Sequence, residues 1–312
     1  MGIRAKKNRR FSLPSLFFFS TALLLLASGS KSDPIYAQNS PSSLVISGFN
    51  AMFLYDEEGD RTKFPPNRRA RKPSDFAILR DTVLQNFPDI IGFQEIENES
   101  ALRKVTTENY GCAATKTHGY SQEVGLCWKK SLPTPLLSEL PQLSLRPGLR
   151  KGIMAEFSLP LGKLTVIVVH LKAGHSNEDQ YERHEQLKAL GEILSHRKRF
   201  VLIGDFNENL KSKKASWNLL KGELFLRSAN HKASSDCWQH QKGFIDYLIT
   251  DMEWNTSSFR QFKFKADDGK FDGNPPEEMG LSDHCPISAE LIWESERKYR
   301  ARTARRNSER YP

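Results

Sequence analysis

The chain has 312 residues, 38% of them apolar and 27% charged, and carries a formal net charge of +9. That much apolar side chain over that length supports a sizeable core, which excludes a disordered or fibrous protein. No internal repeat and no Pro- or Ser-rich linker divides the middle, so residues 38–293 read as one domain with a segment appended at each end.

The first segment, residues 1–37, opens on a basic stretch (Arg4, Lys6, Lys7, Arg9, Arg10). An apolar run follows from Leu16 to Ala27, broken only by Ser20 and Thr21. The run is shorter than the ~20 residues a membrane-spanning helix needs. Small residues come next, and Tyr36-Ala37 before Gln38 fits a cleavage point. The pattern is that of a secretory signal peptide, so the mature protein is expected to be exported, periplasmic or extracellular, and not inserted in a membrane. An uncleaved anchor is the competing reading.

Alternating strand and helix patterns fill the body. Strands are expected at Leu44–Phe49, Ile90–Phe93, Gly125–Trp128, Ile153–Leu159, Leu164–Val169, Phe200–Ile203, Phe244–Thr250 and Pro286–Ile292. Helices are expected at Asp75–Phe87 and Arg183–Leu194; in the polar stretch Leu171–Gln186, His175 and His184 are expected in surface or loop roles, with metal ligation the alternative. Residues 294–312 form the second appended segment, with seven Lys/Arg, three Glu and almost no apolar side chain. It is expected to be disordered or a frayed helix, either a tether for polyanions or merely solvated. The first 37 residues contribute five of the net positive charges and the tail four, so the body is near neutral and its charge does not argue for a nucleic-acid partner.

Four cysteines in an exported chain are compatible with two bridges. Cys112 pairing with Cys127 and Cys237 with Cys285 is one arrangement, and four free buried thiols is the other.

The chemistry-bearing residues sit where apolar strands end: Asn50 after "VISGF", Gln94 and Glu95 in "IIGFQEIEN", His170 after "LTVIVV", Asp205 and Asn207 in "FVLIGDFNENL", Asp246 in "GFIDYLIT", and Asp283 and His284 in "GLSDHCPIS". Each alone is an ordinary turn or capping residue. Six such segments in one order resemble the endonuclease/exonuclease/phosphatase superfamily, which includes DNase I-like nucleases, inositol polyphosphate 5-phosphatases and neutral sphingomyelinases. The likeness spans Leu44 to Ile292 and looks most like the secreted bacterial nucleases of that superfamily.

The resemblance implies an α/β (α+β) four-layer sandwich, with two packed, mixed, mostly antiparallel sheets flanked by helices. It also implies a metal-dependent phosphodiesterase acting as a monomer. Phosphodiester hydrolysis needs a water nucleophile, charge neutralisation at the phosphoryl oxygens and help for the departing alkoxide. Glu95, Asn50 (through its amide oxygen) and Asp283 are then the expected ligands of Mg2+ or Mn2+, with Ca2+ also compatible. His284 is the expected base or imidazolium, and Asp246 its partner. Asp205 and Asn207 orient the water and a phosphoryl oxygen, their side chains on one face of an extended segment. His170 protonates the leaving oxygen, oriented by Glu123, and Arg150 binds a substrate phosphate. The expected substrate is DNA or RNA. A phospholipid, sphingomyelin or small phosphoester is the alternative, and a non-catalytic polyanion-binding module is the remote one. A lipid substrate would call for an exposed apolar loop, and Pro133–Leu145 has leucines but no aromatic cluster.

Overall fold

The computed structural model describes residues 43–56, 70–117, 122–235, 237, 243–264 and 281–310; the expected signal peptide lies outside them. Along the chain run β1 (Ser43–Leu54), α1 (Pro73–Val83), β2 (Ile90–Ile96), α2 (Glu99–Val105), β3 (Tyr110–Ala114), β4 (Glu123–Lys129), β5 (Leu136–Leu140), β6 (Gly152–Leu159) and β7 (Gly162–His170). Then come α3 (Asn177–Ser195), β8 (Phe200–Asp205), α4 (Lys214–Lys221), β9 (Arg227–Ser228), β10 (Asp246–Thr250), β11 (Glu253–Trp254), β12 (Arg260–Gln261), β13 (Ile287–Ile292) and α5 (Glu296–Arg310).

The strands form two mixed sheets. One runs β11-β13-β1-β2-β4-β3, with β12 also paired to β13, and the other runs β5-β6-β7-β8-β10-β9. Each has one parallel pair near its middle, β1 with β2 and β7 with β8, and otherwise antiparallel neighbours. A helix links each parallel pair, α1 in one sheet and α3 in the other, as a crossover requires. Phe76, Leu79 and Val83 of α1 and Leu102 and Val105 of α2 pack with Ile91 and Phe93 on the first sheet. Leu187, Leu190 and Leu194 of α3 pack with Leu220 of α4 over the second. The result is the expected sandwich flanked by helices.

Side chains alternate across a strand, and this decides what lies between the sheets. Gly48 and Gly92 face inward, and a Cβ at either would meet Cγ2 of Ile203, at 2.8 and 2.7 Å. The absent side chains let Ile203 of the opposite sheet drive into the first. Two residues further on, toward the same end of the sandwich, β1 reaches Asn50 and β8 reaches Asp205. Core packing and site placement therefore share one face of each strand.

Several elements depart from the sequence expectation. α1 stops at Val83, and Phe87, exposed at 76%, takes a left-handed φ of 46° instead of ending the helix. α3 begins at Asn177, ahead of the expected start at Arg183. Ser176 caps it by accepting from Asp179 N, and the Asp179 carboxylate accepts from Ser176 N in return. Its first turns were missed because their buried members are polar: Glu182, Arg183 and Gln186. Of the two forms expected for the C-terminal segment, disordered or a frayed helix, the helical one is present as α5, and it docks on the body. Tyr299 is buried and its hydroxyl donates to Asp251, while Arg302 pairs with Glu253 and Glu294. One aromatic anchor and an ion-pair cluster hold a helix that composition alone would leave disordered or frayed. Both expected disulfides are present: Cys112–Cys127 joins register partners on β3 and β4, and Cys237–Cys285 ties the approach to β10 to the approach to β13.

Candidate active site

The second sheet supplies three neighbours in a row. His170 is the register partner of Asp205 across β7 and β8, and Asp205 that of Asp246 across β8 and β10. All three are buried. The first sheet brings Asn50 at the same end, and its amide nitrogen donates to Asp205 Oδ2 at 3.0 Å and to Glu95 Oε1 at 3.4 Å.

Glu95 follows Gln94, so on a regular strand the two would point to opposite faces. The register shifts between Gln94 and Ile96, and Glu95 takes a left-handed φ of 56°. Such a conformation costs a non-glycine residue about 1–3 kcal/mol and persists only where surrounding contacts enforce it. Here it turns the carboxylate toward the second sheet, where Glu95 Oε1 lies 3.8 Å from His170 Nε2, and Asp205 Oδ2 lies 3.4 Å from the same atom.

The loop before β13 closes the site. Ser282 Oγ donates to Asn50 O at 2.7 Å and accepts from His284 N at 3.0 Å. His284 Nδ1 then sits 2.8 Å from Asp246 Oδ2, and its Nε2 lies 3.7 Å from Asp205 Oδ2 and 3.8 Å from Asp283 Oδ1. Arg71 reinforces the closure, donating to Ala51 O, Met52 O and Leu281 O. Nothing in the sequence marked Arg71, since a lone arginine has no motif.

Electrostatics divide the two histidines. Burial alone would lower His284, but Asp246, by charge and by hydrogen bond, together with Asp205 and Asp283, raises it well above the ordinary 6.5. His170 goes the other way, well below 6.5, through burial first and then the nearby Arg150 and His284 cations. Burial pushes the Asp205 carboxyl up, with His284 opposing and Asp246 adding to the rise.

Among the expected site residues, three placements change, those of Glu123, Asn50 and Asn207. Glu123 does not reach His170. Its carboxylate accepts from Thr115 Oγ1, Thr117 N and Thr117 Oγ1, and so locks the start of β4. His170 Nδ1 has no hydrogen-bond partner among the described residues, so no carboxylate holds the ring from that nitrogen. The neighbouring Gln122 is the residue that enters the site: Arg150 Nη2 donates to its Oε1 at 3.0 Å, and its Nε2 donates to Glu95 Oε2 at 2.8 Å. Arg150 is buried there and is not a solvated surface arginine.

Asn50 presents its nitrogen to the carboxylates, because Met52, at a left-handed φ of 41°, turns its N–H onto the Asn50 oxygen. The expected amide-oxygen ligand is thus engaged elsewhere. Asn207 is not on an extended segment. β8 ends at Asp205, and Asn207 has a φ of 50°, donating its backbone N–H to Asp205 Oδ1 and its amide to Leu171 O. It holds the strand end and the Asp205 carboxylate in place. His175 is exposed, whereas His184, half-buried on α3, lies 3.3 Å from the buried Ser216 of α4 and takes a packing place between the two helices.

Asp205, Asp246 and His284 offer ligand-type atoms within 4.8 Å of one another. Distance alone would allow a metal there, but His284 Nδ1 is already committed to Asp246. The pair Glu95 and Asp205 has the better chemistry for a hard cation, with two carboxylate oxygens gathered about the Asn50 amide.

The model of the endonuclease/exonuclease/phosphatase family matches residues 48–284. No curated protein sequence matches the chain significantly. Among solved structures, it is similar to D. rerio TDP2 complexed with single strand DNA product (17% identity, 80% of this chain and 99% of that one, TM-score 0.55). The human Nocturnin catalytic domain is similar at 15% identity, with 80% and 94% covered and a TM-score of 0.53. A family protein from Bacteroides thetaiotaomicron matches at 13% identity, with 82% and 100% covered and a TM-score of 0.52. At these identities the structures speak to the fold alone.

Proposed function

The chain belongs to the endonuclease/exonuclease/phosphatase family and is a phosphoric ester hydrolase, and on that premise we propose that it is an exported, divalent-metal-dependent nuclease acting on DNA or RNA. The observation that carries the reading is the convergence of Glu95 Oε1 and Asp205 Oδ2 beside the Asp246–His284 pair. Glu95 and Asp205 would hold the cation, with Asp283 on the His284 side of the cleft. A bound Mg2+ or Mn2+ neutralises charge on the phosphoryl oxygens.

The chain's own residues divide the remaining work. Asp205, placed between the Asn50 amide and the Asp246–His284 pair, would orient the attacking water. Asp246 holds His284 as an imidazolium, whose Nε2–H meets the phosphoryl oxygen as charge builds. Arg150, steadied by Gln122, neutralises a phosphate of the substrate. His170, kept neutral, packs beneath the two carboxylates and fixes their separation. The two disulfides support export, since such bonds persist in oxidising compartments. No helix among the described residues is long and apolar enough to cross a membrane.

The test is a substrate panel of plasmid, single-stranded DNA, RNA, sphingomyelin liposomes and bis-p-nitrophenyl phosphate, with each metal and with chelator. We expect plasmid or RNA cleavage that chelation abolishes and that His284→Ala lowers by roughly 10²–10⁴-fold. A protein that leaves plasmid and RNA intact while cleaving sphingomyelin would replace this reading with the lipid one, for which the exposed Leu136, Leu137 and Leu145 are the specific observation.

A further inference from the structure

A second concavity lies on the other side of the strand that carries Asp246. Alternation along β10 sends Asp246 toward the catalytic cleft and Tyr247 to the opposite face, where Tyr247 meets Phe206 edge-on at 5.6 Å. From there a groove of about 1100 Å3 extends past α4 and β9 to β11. It is not part of the site described above and holds none of its residues. It still touches the same strand end, because Asn230, in its wall, donates its amide to Asp246 O at 2.9 Å.

The lining has a distinctive chemistry. Trp217, Phe225 and Trp254 contribute aromatic surface, and Phe225 stands 48% exposed with the Arg227 guanidinium 4.7 Å from its ring centre. Lys211, Lys214, Lys221, Arg227 and Lys232 contribute positive charge. Glu253 is the one acid among the described lining residues, and it is already paired with Arg227 and Arg302. A body that is near neutral overall thus concentrates cations here beside the exposed Phe225 and half-buried Trp217 rings. Cations alone would suit any polyanion. Cations interleaved with aromatic rings suit a polyanion that also carries flat, stackable groups, which is the chemistry of single-stranded nucleic acid.

We propose that this groove binds a single-stranded segment of nucleic acid outside the catalytic cleft, with its bases on Phe225 and Trp217 and its phosphates on the surrounding lysines. A duplex keeps its bases stacked inside and cannot use the rings, so single strands are the preferred occupant. The proposal deepens the nuclease reading and rests on it for its biological sense, and the assay below separates the two.

Binding of a fluorescein-labelled 12-mer of single-stranded DNA is measured by anisotropy on the purified full chain in chelator, where no cleavage occurs. Phe225→Ala and the double variant Lys214→Glu/Lys232→Glu are compared with wild type, since all three positions are exposed and the variants are expected to fold. Each variant should bind at least about tenfold more weakly. The lysine variant should also lose about 0.7 of log–log salt slope per phosphate contact removed. Turnover of bis-p-nitrophenyl phosphate with metal should stay at the wild-type level. Wild-type-like binding by both variants overturns the proposal, as does a wild-type protein that does not bind the 12-mer. If the lysine variant alone weakens binding, and duplex or heparin binds as well as the single strand, the groove is a general polyanion surface and the single-strand assignment falls. Nucleic-acid cleavage by wild type with metal is scored separately. Its absence removes the nuclease reading even where the groove binds as expected.

Discussion

His284 Nδ1 lies 2.8 Å from Asp246 Oδ2, and both groups are buried. Burial by itself would drive the imidazole to its neutral form; the carboxylates of Asp246, Asp205 and Asp283 outweigh it and hold the group above 6.5. In metal-free protein the His284 ring protons should therefore titrate above 6.5 by NMR, and Asp246→Asn should move that titration down. A folded-state value above the unfolded one stabilises the fold fully below about pH 6.5, and the contribution is lost as pH rises through the folded value. The stability margin of wild type over Asp246→Asn should be widest just below that pH and narrow on the alkaline side. A wild-type titration at or below 6.5 would refute the assignment.

Gln122 and Glu123 are adjacent but belong to different problems. Gln122→Leu cuts the link from Arg150 to Glu95 and should lower kcat/KM on a nucleic-acid substrate roughly tenfold with little change in melting temperature, about the worth of one charge-assisted hydrogen bond. Glu123→Ala strands the Thr115 and Thr117 donors and should cost roughly 2–4 kcal/mol of stability while specific activity per folded molecule persists. Reversed outcomes would return Glu123 to the site and remove Gln122 from it.

Cys285 follows His284 directly and is bridged to Cys237, which is 48 residues earlier. Closing a loop of that length stabilises by about 4 kcal/mol on the chain-entropy estimate. Cys237→Ala/Cys285→Ala should lower stability by that order. It should also reduce activity at temperatures where the protein is still folded by circular dichroism, because the catalytic loop loses its tether. Activity that tracks the folded fraction alone would show that the bridge serves stability only.

A methyl group at Gly92 would meet Ile203 Cγ2 at 2.7 Å and Val168 Cγ2 at 3.0 Å, both from the opposite sheet. Gly92→Ala should cost about 1–3 kcal/mol through overpacking, seen as a lower urea midpoint at unchanged slope. An unchanged midpoint would mean the sheets separate there without cost.

Asn50, His170, Asp205 and Asp246 were legible because each adjoins an apolar strand run, and β-alternation then determines which face it shares. Asp283 and His284 were legible because they sit in the short loop that leads into the last strand. Local backbone conformation was not legible. The left-handed turns at Met52, Glu95 and Asn207 decide which atom of Asn50 faces the carboxylates, how Glu95 enters the cleft and why Asn207 does not share a face with Asp205. Glu123 drew attention through its chemistry, while the side chain one position earlier occupies the site. The docking of α5 and the first turns of α3 were missed for a related reason: ion pairs and polar burial hold them, and hydrophobic periodicity is blind to both.

β1 is paired with β2 on one side and with β13 on the other. The strand made first is therefore finished by the strand made last, and His284 comes with the later of the two. A chain emerging from a ribosome or crossing a membrane residue by residue holds Asn50 and Glu95 long before it holds the histidine. Until β13 docks on β1, Asp246 and Asp205 stand without the His284 imidazole, so chain order alone makes this cluster of buried groups a late product of synthesis.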